Sequence, residues 1–392
     1  MDFEQLRNLS EQYEVRIDNH SDFERTPPFY YDSLKHAFTA YFNTFHTQNA
    51  SYDYYARGLN NRNIEILKRQ LLDEDNTVLA IIGFERYFEL FLKDLLKQVD
   101  SNLIYQVKDN NKNISTLINR IECNKFKLKE IGGKPLTIPF RETINRFFGL
   151  AELVKNEGKS NLIIPKFTLM LKQYSFLVST NNKASLKLLN WYRDRILHNG
   201  NRLPSLWLLD YIVTQRFAPI IKDIINTDHK RLGKSMYYLT TVTEIDILKE
   251  LCSVHFEFSD LQNKPKDNQI FQLLLRIGHL KELGRANLNM NLFVRKNYQA
   301  GYEYNYKDPI GRGKRFAQIE KKKHEHAKDI KNCPCCGENS LVLYNEKIDD
   351  IFNQGQKKNI QWIKCYTCDY HLRDNADDPF FFNLYPETIF KP

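Results

Sequence analysis

The sequence predicts a mainly α-helical protein that ends in a small β unit carrying paired cysteines. Between residues 61 and 228, apolar side chains recur at spacings of three and four, as the buried face of a helix requires. Near the C-terminus, two Cys-x-x-Cys pairs lie beside the strand-like segments SLVLYN and IQWIKC. Together these patterns predict a helical bundle followed by a separate C-terminal β module.

Composition bounds the class of protein. The chain has 392 residues, of which 13% are aromatic and 27% charged, so most of it is expected to fold. Its formal net charge of +9 favours an acidic partner. The N-terminal segment MDFEQLRNLSEQYEV is charged and has no apolar run, so neither a signal peptide nor a membrane span is expected. A cytoplasmic protein with no membrane partner follows.

The helical part is expected in two blocks. Residues 1–60 predict an N-terminal helical extension, and residues 61–228 predict a bundle. In the bundle, AIIGFERYFELFLKDLLKQV predicts one long core helix, and the Gly-Gly pair near residue 132 marks a loop. Further helices are expected over residues 141–154 and 167–178, and again in SLWLLDYIVTQRFAPIIKDII, which follows Pro204.

Residues 229–330 are predicted to form a connector of mixed secondary structure that is rich in basic residues. SMYYLTTVT resembles a strand and NQIFQLLLRIGHLKEL a helix, but the pattern assigns no fold to residues 229–290. Basic residues then alternate with aromatic ones, and Arg312, Lys314 and Arg315 are candidates to contact an RNA backbone. A solvated linker is the alternative. The GRGKR segment does not have the spacing of a phosphate-binding loop.

The segment LLNWYRDRILHNG carries two groups that an ordinary amphipathic helix would not place there. Arg193 is centred on the apolar stripe, where a guanidinium is costly to bury unless it is paired or faces a wet groove. His198 lies about 140° around and roughly 7.5 Å along the helix from Arg193, so one helix does not bring the two side chains together. Asp194, four residues before His198, is placed to hold the imidazole in one tautomer. The alternative is that Arg193 pairs inside the bundle and His198 interacts with the C-terminal carbonyls of its own helix.

These residues resemble the signature of the HEPN superfamily (higher eukaryotes and prokaryotes nucleotide-binding). In RDRILHNG an Arg and a His are separated by four residues, the first of which is polar, and FERYFELFLKDLL is similar to the first long helix of that family. The resemblance covers about residues 61–228 and implies a HEPN-like helical bundle. A Tyr found two residues after the His in one subgroup is replaced here by Gly200, so control by modification of that Tyr is not expected.

The resemblance implies a homodimer in which two such motifs face one cleft, and metal-independent cleavage of RNA. His198 would move a proton to or from the 2′-hydroxyl or the leaving 5′-oxygen, and Arg193 would stabilise charge on the phosphoryl group. Asp194 would orient His198, and Asn199 is a weaker candidate for contacting the phosphate. Many HEPN proteins act in toxin or antiviral defence systems, so a defence-system partner protein or an antitoxin is also expected.

The cysteine pairs predict a metal site. Cys333 with Cys336 and Cys365 with Cys368 form two knuckles that can share one tetrahedral Zn²⁺, and the segment from about residue 331 to 372 resembles a zinc ribbon. Structural Zn²⁺ is the expected cofactor, because so small a module cannot be held by an apolar core. Cys335 is expected to be a spare thiol; His371 is an alternative ligand and an iron–sulfur cluster an alternative occupant. Residues 331–392 therefore predict a ribbon with an acidic and aromatic tail.

The combined expectation is a dimeric HEPN endoribonuclease whose ribbon and connector recruit RNA or a partner. Two other classes remain open from the sequence. In one, HEPN is a dimerisation scaffold for a non-catalytic nucleic-acid-binding or regulatory protein. In the other, the chain is an interaction subunit of a larger defence complex and has no activity in isolation.

Overall fold

A computed structural model describes twelve stretches of the chain. The described residues are 30–45, 74–108, 113–156, 162–199, 203–204, 206–232, 236, 238–255, 273, 276–289, 309–344 and 362–373. Most of them are helical, and a small antiparallel sheet lies near the C-terminus. The prediction of a mainly α protein with a small β module is therefore confirmed. Among the described helices, none combines the length and the apolarity needed to cross a bilayer.

The helices of the first part follow the predicted order. They are α1 (Tyr30–Asn43), α2 (Glu74–Val99), α3 (Ile114–Glu122), α4 (Phe140–Asn156), α5 (Ile163–Gln173) and α6 (Thr180–Asn199). The expected helix over 141–154 is confirmed as α4. The one expected over 167–178 begins earlier and ends earlier, as α5, and a 3-10 turn over Ser175–Val178 continues it.

Helix α2 is the central element, and it packs against α1, α4, α5 and α6. The crossing of α1 and α2 is close, because a Cβ at Gly83 would lie 2.8 Å from the Cα of Ala37. Aromatic rings fill the space between these helices, for example Phe38 against Phe84 at a centroid distance of 5.3 Å. Helix α1, from the predicted N-terminal extension, thus contributes to the same core as α2.

Asp228 joins three parts of this core. Its buried carboxylate accepts hydrogen bonds from the hydroxyl groups of Tyr30, Tyr31 and Tyr174. A buried carboxylate must have its hydrogen-bonding capacity satisfied, and three phenols contribute to that here. The arrangement ties α1 and the turn after α5 to the helix that carries Asp228.

That helix belongs to a long segment with one irregularity. Helix α7 (Leu206–Ile212) passes through a π-helical turn over Val213–Phe217 into α8 (Ala218–Leu232). The N–H of Ala218 bonds to the carbonyl of Val213, and Pro219 follows immediately. Proline has no N–H to continue the ordinary ladder, which accounts for a wider turn at this point.

Short β elements and turns connect these helices. Strands β1 (Glu130–Ile131) and β2 (Lys134–Pro135) form a hairpin whose two-residue loop is the predicted Gly-Gly pair, with φ of 60° and 74°. Both loop residues need positive φ in such a turn, which glycine adopts without strain. The described residues of SMYYLTTVT do not form the expected strand: residues 238 and 239 form a 3-10 turn, and Thr240 makes one isolated bridge with Asp246.

The last part combines three helices with a four-stranded sheet. Helix α9 covers Ile247–Ser253, α10 covers residues 276–289, and α11 covers Pro309–Lys323. The strands β3 (Ala327–Asn332), β4 (Asn339–Tyr344), β5 (Trp362–Cys365) and β6 (His371–Arg373) form an antiparallel meander in chain order. The segments SLVLYN and IQWIKC pair as β4 and β5, as the ribbon hypothesis requires.

Candidate functional site

Four cysteine thiols lie together where the two knuckles meet. The sulfur atoms of Cys333, Cys336, Cys365 and Cys368 all lie within 4.8 Å of one another, and all four side chains are buried. Two of the Sγ–Sγ distances, Cys333 to Cys368 and Cys336 to Cys365, are 3.6 Å. Four thiolates around a tetrahedral ion at ~2.3 Å would have edges of about 3.8 Å. The four sulfur atoms are therefore close enough together to hold a metal ion.

The two knuckles have the same backbone geometry. In the first, Gly337 has φ of 75° and its N–H donates to the carbonyl of Cys333 at 2.8 Å. In the second, Asp369 has φ of 59° and its N–H donates to the carbonyl of Cys365 at 3.1 Å. Each left-handed residue directly follows the second cysteine of its pair, so that the turn folds both sulfur atoms of a pair toward the centre.

Cys335 is not one of the four close ligands, although its thiol lies near Cys368. Its buried thiol donates to the carbonyl of Leu283 at 3.9 Å, and the group of close ligands contains only the other four cysteines of the two knuckles. The prediction that Cys335 is a spare thiol agrees with this placement. His371, the alternative ligand, instead has its Nδ1 atom 3.2 Å from the carbonyl of Asp369.

The thiols do not share one electrostatic environment. Burial raises the pKa of Cys333 well above its ordinary value, since the interior disfavours a thiolate. Hydrogen bonds from Cys333, Cys336 and Cys368 lower the pKa of Cys365. Ser340 Oγ, 3.2 Å from Cys365 Sγ, adds a further hydrogen bond to that sulfur. A bound cation would replace thiol protons as the charge that stabilises buried thiolates.

The sheet is packed on the helical part, and α10 carries most of the polar contacts to the second knuckle. Arg285 forms a bidentate pair with the buried carboxylate of Glu282, with both distances 2.7 Å. Glu282 also accepts the backbone N–H of His371 at 2.7 Å. One turn earlier, His279 Nε2 is hydrogen-bonded to the hydroxyl of Tyr370 at 2.7 Å. The same apolar core contains residues of the helices and of β4 to β6.

The first knuckle is held by the segment that was expected to be a strand. The backbone N–H of Val242 donates to the carbonyl of Cys335 at 3.1 Å, and Thr243 donates to the carbonyl of Pro334. On the other side, α11 approaches the second knuckle so closely that a Cβ at Gly313 would lie 2.9 Å from the Cα of Thr367. Three segments of the chain therefore enclose the four clustered cysteines.

Arg193 lies on α6 between two carboxylates and remains one third exposed. Its NH1 atom is 3.0 Å from Asp194 Oδ1, and its Nε atom is 3.8 Å from Glu85 Oε1 on α2. The second distance is too long for a hydrogen bond. The apolar stripe around Arg193 is buried in its first half, with Leu186 and Leu189 at 0% exposure, and opens at Leu197, which is 53% exposed.

Glu85 was not identified from the sequence. Its side chain is 6% exposed, and among the described residues its Oε1 atom has no hydrogen-bond partner. Burial, with the charge of Glu89, raises the pKa of Glu85 to about 7, against the lowering effect of Arg193. The sequence did contain an indication of this burial. On ideal helix geometry Glu85 lies within about 80° of the centre of the apolar stripe of α2, so it is a charged residue on the buried side of its helix, as Arg193 is on α6.

The other residues of the motif are separated by the structure. Asp194 accepts hydrogen bonds from Arg193 and, at 3.0 Å, from Asn190 Nδ2. Within the described residues its carboxylate forms no hydrogen bond or ion pair with His198, so the expected orienting hydrogen bond is not formed. His198 is exposed in the last turn of α6, and the side chain of Asn199 lies outside the described residues. Trp191, 46% exposed, has the guanidinium of Arg195 4.2 Å from its ring centroid.

The three predicted RNA-contacting residues of the connector lie on α11 and are exposed. Lys314 forms an ion pair with Glu338 at 2.7 Å, which binds α11 to the first knuckle. Arg312 and Arg315 form no ion pair within the described residues, and Phe316 beside them is 49% exposed. The helix therefore presents a basic and aromatic face to solvent.

Comparison with protein-family models, with curated proteins and with solved structures finds no match to this chain.

Proposed function

We propose that this protein is a metal-independent endoribonuclease of the HEPN type, which uses Arg193 and His198 and acts in a toxin or antiviral defence system. The main support for the proposal is the exposure of Arg193 and its loose contact with Glu85. Its guanidinium sits on the stripe of α6 that faces α2, is one third exposed, and is 3.8 Å from its buried partner carboxylate. A phosphate can replace that loose contact with a bidentate pair.

In this proposal, cleavage proceeds by attack of the 2′-hydroxyl on the adjacent phosphorus, which expels the 5′-oxygen. His198 transfers a proton from the 2′-hydroxyl or to the leaving 5′-oxygen. Its exposure in the last turn of α6 leaves it accessible to substrate. Arg193 stabilises the negative charge that accumulates on the phosphoryl oxygens. The products carry a 2′,3′-cyclic phosphate and a free 5′-hydroxyl.

The proposal includes a homodimer. On one ideal helix Arg193 and His198 are about 140° apart, so the two side chains of one protomer do not meet. In the proposed dimer, Arg193 of one protomer lies near His198 of the other. Trp191 and Leu197, both about half exposed on the last turns of α6, provide apolar surface near the motif. A cytoplasmic location and a restraining antitoxin or partner protein belong to the same proposal.

We also propose that the four-cysteine site holds Zn²⁺ in a structural role. Four buried thiols with no open position match the closed tetrahedral sites that structural zinc occupies. Because the knuckles are enclosed by α10, α11 and the segment near Val242, RNA recruitment is assigned to Arg312 and Arg315 on the outer face of α11 rather than to the knuckles.

The test compares wild type, His198→Ala and Arg193→Ala on RNA without added divalent metal. Either substitution should abolish cleavage, and wild type should release ends with a cyclic phosphate. The matched control is His36→Ala, since His36 is an exposed histidine on α1 far along the sequence from the motif. Equal cleavage by wild type and His198→Ala would show that the active site is wrongly assigned.

Dimer dependence has its own test. A mixture of Arg193→Ala and His198→Ala protomers should recover part of the activity, because one cleft of the mixed dimer combines an intact Arg193 with an intact His198. Absence of recovery in a mixture shown to contain heterodimers would contradict the shared cleft.

A non-catalytic RNA-binding protein is the second candidate, and the ion pairs of Arg193 favour it. Glu85 and Asp194 neutralise the guanidinium in the isolated protomer, while Arg312 and Arg315 on α11 remain unpaired within the described residues. This candidate predicts salt-dependent RNA binding that Arg312→Ala with Arg315→Ala removes, and no cleavage of any RNA by wild type.

A further inference from the structure

A groove between α4 and α6 has the composition of an anion site. Its volume is about 270 Å³, and it is lined by Arg141, Ile144 and Asn145 of α4 and by Lys187 and Asn190 of α6. None of the described residues that line it is acidic. The buried Ile144, 2% exposed, provides an apolar wall, while two cations and two amides provide polar groups. Such a mixture of an apolar surface with a few polar groups is typical of ligand sites.

The cations of the groove form no ion pair within the described residues. Along α4, Glu142 pairs with Arg146 at 3.0 Å, and Glu152 pairs with Lys183 at 2.9 Å. Lys183, and more weakly the charge of Lys187, lowers the pKa of Glu152, so Lys187 has a carboxylate nearby but no direct partner. Arg141 and Lys187 therefore remain able to attract an anionic group.

The groove is connected to the Arg–His motif. Asn190 lines the groove and its Nδ2 atom donates to Asp194 at 3.0 Å, one residue from Arg193. On ideal helix geometry Lys187, Asn190, Asp194 and His198 fall within about 80° of one another, and Lys187 lies roughly 16 Å from His198 along the axis. A strand that followed this side of α6 would pass from the groove to His198.

We infer that the groove binds one nucleotide of a single-stranded RNA, on the same strand as the bond that is cut but separated from it along the strand. Arg141 and Lys187 hold the phosphate, and Asn145 and Asn190 offer amide groups to the edge of the base. Bases that are splayed out of a single strand can enter a pocket of this kind, whereas paired bases in a duplex cannot. The inference rests on the proposed function for the identity of the ligand as RNA.

The experiment measures binding of a short, fluorescently labelled single-stranded RNA to His198→Ala protein, in which cleavage is not expected to interfere. Adding Arg141→Ala and Lys187→Ala should weaken binding several-fold and reduce the salt dependence, by about 0.7 per lost phosphate contact in the slope of log K against log salt. The matched control is Lys166→Ala with Lys172→Ala on α5, which removes two exposed cations that do not line the groove.

The outcomes separate this inference from the proposed function. Unchanged affinity and salt slope in the Arg141/Lys187 variant would overturn the groove assignment, even if His198→Ala abolishes cleavage. Equal losses in the control variant would also overturn it, because they would show a general charge effect. Loss of binding specific to the groove variant supports the inference, even if the wild-type protein cuts no RNA and the proposed catalysis fails. Equal competition by duplex RNA would refute the single-stranded assignment.

Discussion

Replacing Glu85 by Gln should remove a pH-dependent loss of stability. Burial raises the pKa of Glu85 in the folded protein from 4.5 to about 7. In the unfolded chain this carboxyl loses its proton near its ordinary value, while the folded protein retains it. Between these values the folded state binds more protons, so its stability falls as pH rises and the penalty is complete above about pH 7.

The magnitude follows from the shift of the pKa. A rise from 4.5 to about 7 corresponds to about 3 kcal/mol of unfolding free energy, at ~1.36 kcal/mol per pH unit. Glu85→Gln keeps the shape of the side chain but has no charge to bury. We therefore expect the variant to match wild type near about pH 4 and to exceed it by up to about 3 kcal/mol near about pH 8.

Urea unfolding, followed by circular dichroism across this range, measures the difference. Glu152→Gln is the matched control, because the exposed Glu152 pairs with Lys183 and its pKa is lowered, so its neutralisation should not stabilise the protein at high pH. A wild-type and Glu85→Gln difference that is independent of pH would refute the reasoning, since Glu85 would then have the same pKa in both states.

Three further predictions concern the metal centre and the packing of α10. Cys336→Ser should abolish stoichiometric zinc binding measured by mass spectrometry, whereas Cys335→Ser should retain it, because only the first thiol belongs to the close cluster. Removal of the metal by a chelator should increase amide hydrogen exchange in α10, since Glu282 binds the backbone beside the second knuckle; unchanged exchange would contradict this coupling. Gly284→Ala should lower the unfolding free energy by about 1–3 kcal/mol, because the new Cβ meets the ring of Phe42, and Phe42→Leu should restore part of it.

Much of the helical part could be predicted because local pattern and burial agree there. The apolar positions Ile81, Phe84 and Phe88 that identified the long helix are all buried in α2. The expected strand near Thr240 failed for the opposite reason. Its β-branched and aromatic residues favour extended backbone locally, but the structure uses this segment as a loop that holds the first knuckle.

The candidate sites show the same difference between residues placed by local pattern and residues placed by long-range packing. The spacing of Cys333, Cys336, Cys365 and Cys368 within two short turns was sufficient to predict their cluster, because each turn is local and only one pairing of knuckles was available. Glu85 is more than one hundred residues from Arg193 in sequence, and only the packing of α2 against α6 brings them together.

The sequence alone determined the helical character of this protein, its basic charge and the four cysteines that cluster at its C-terminal sheet. Those properties depend on periodicity, composition and spacing within short segments. Only the tertiary structure decided that Arg193 lies beside a buried carboxylate, that two cations line the groove between α4 and α6, and that α10 and α11 enclose the knuckles. These facts depend on contacts between distant segments, and the charge and burial of each group are set by neighbours that no local pattern specifies.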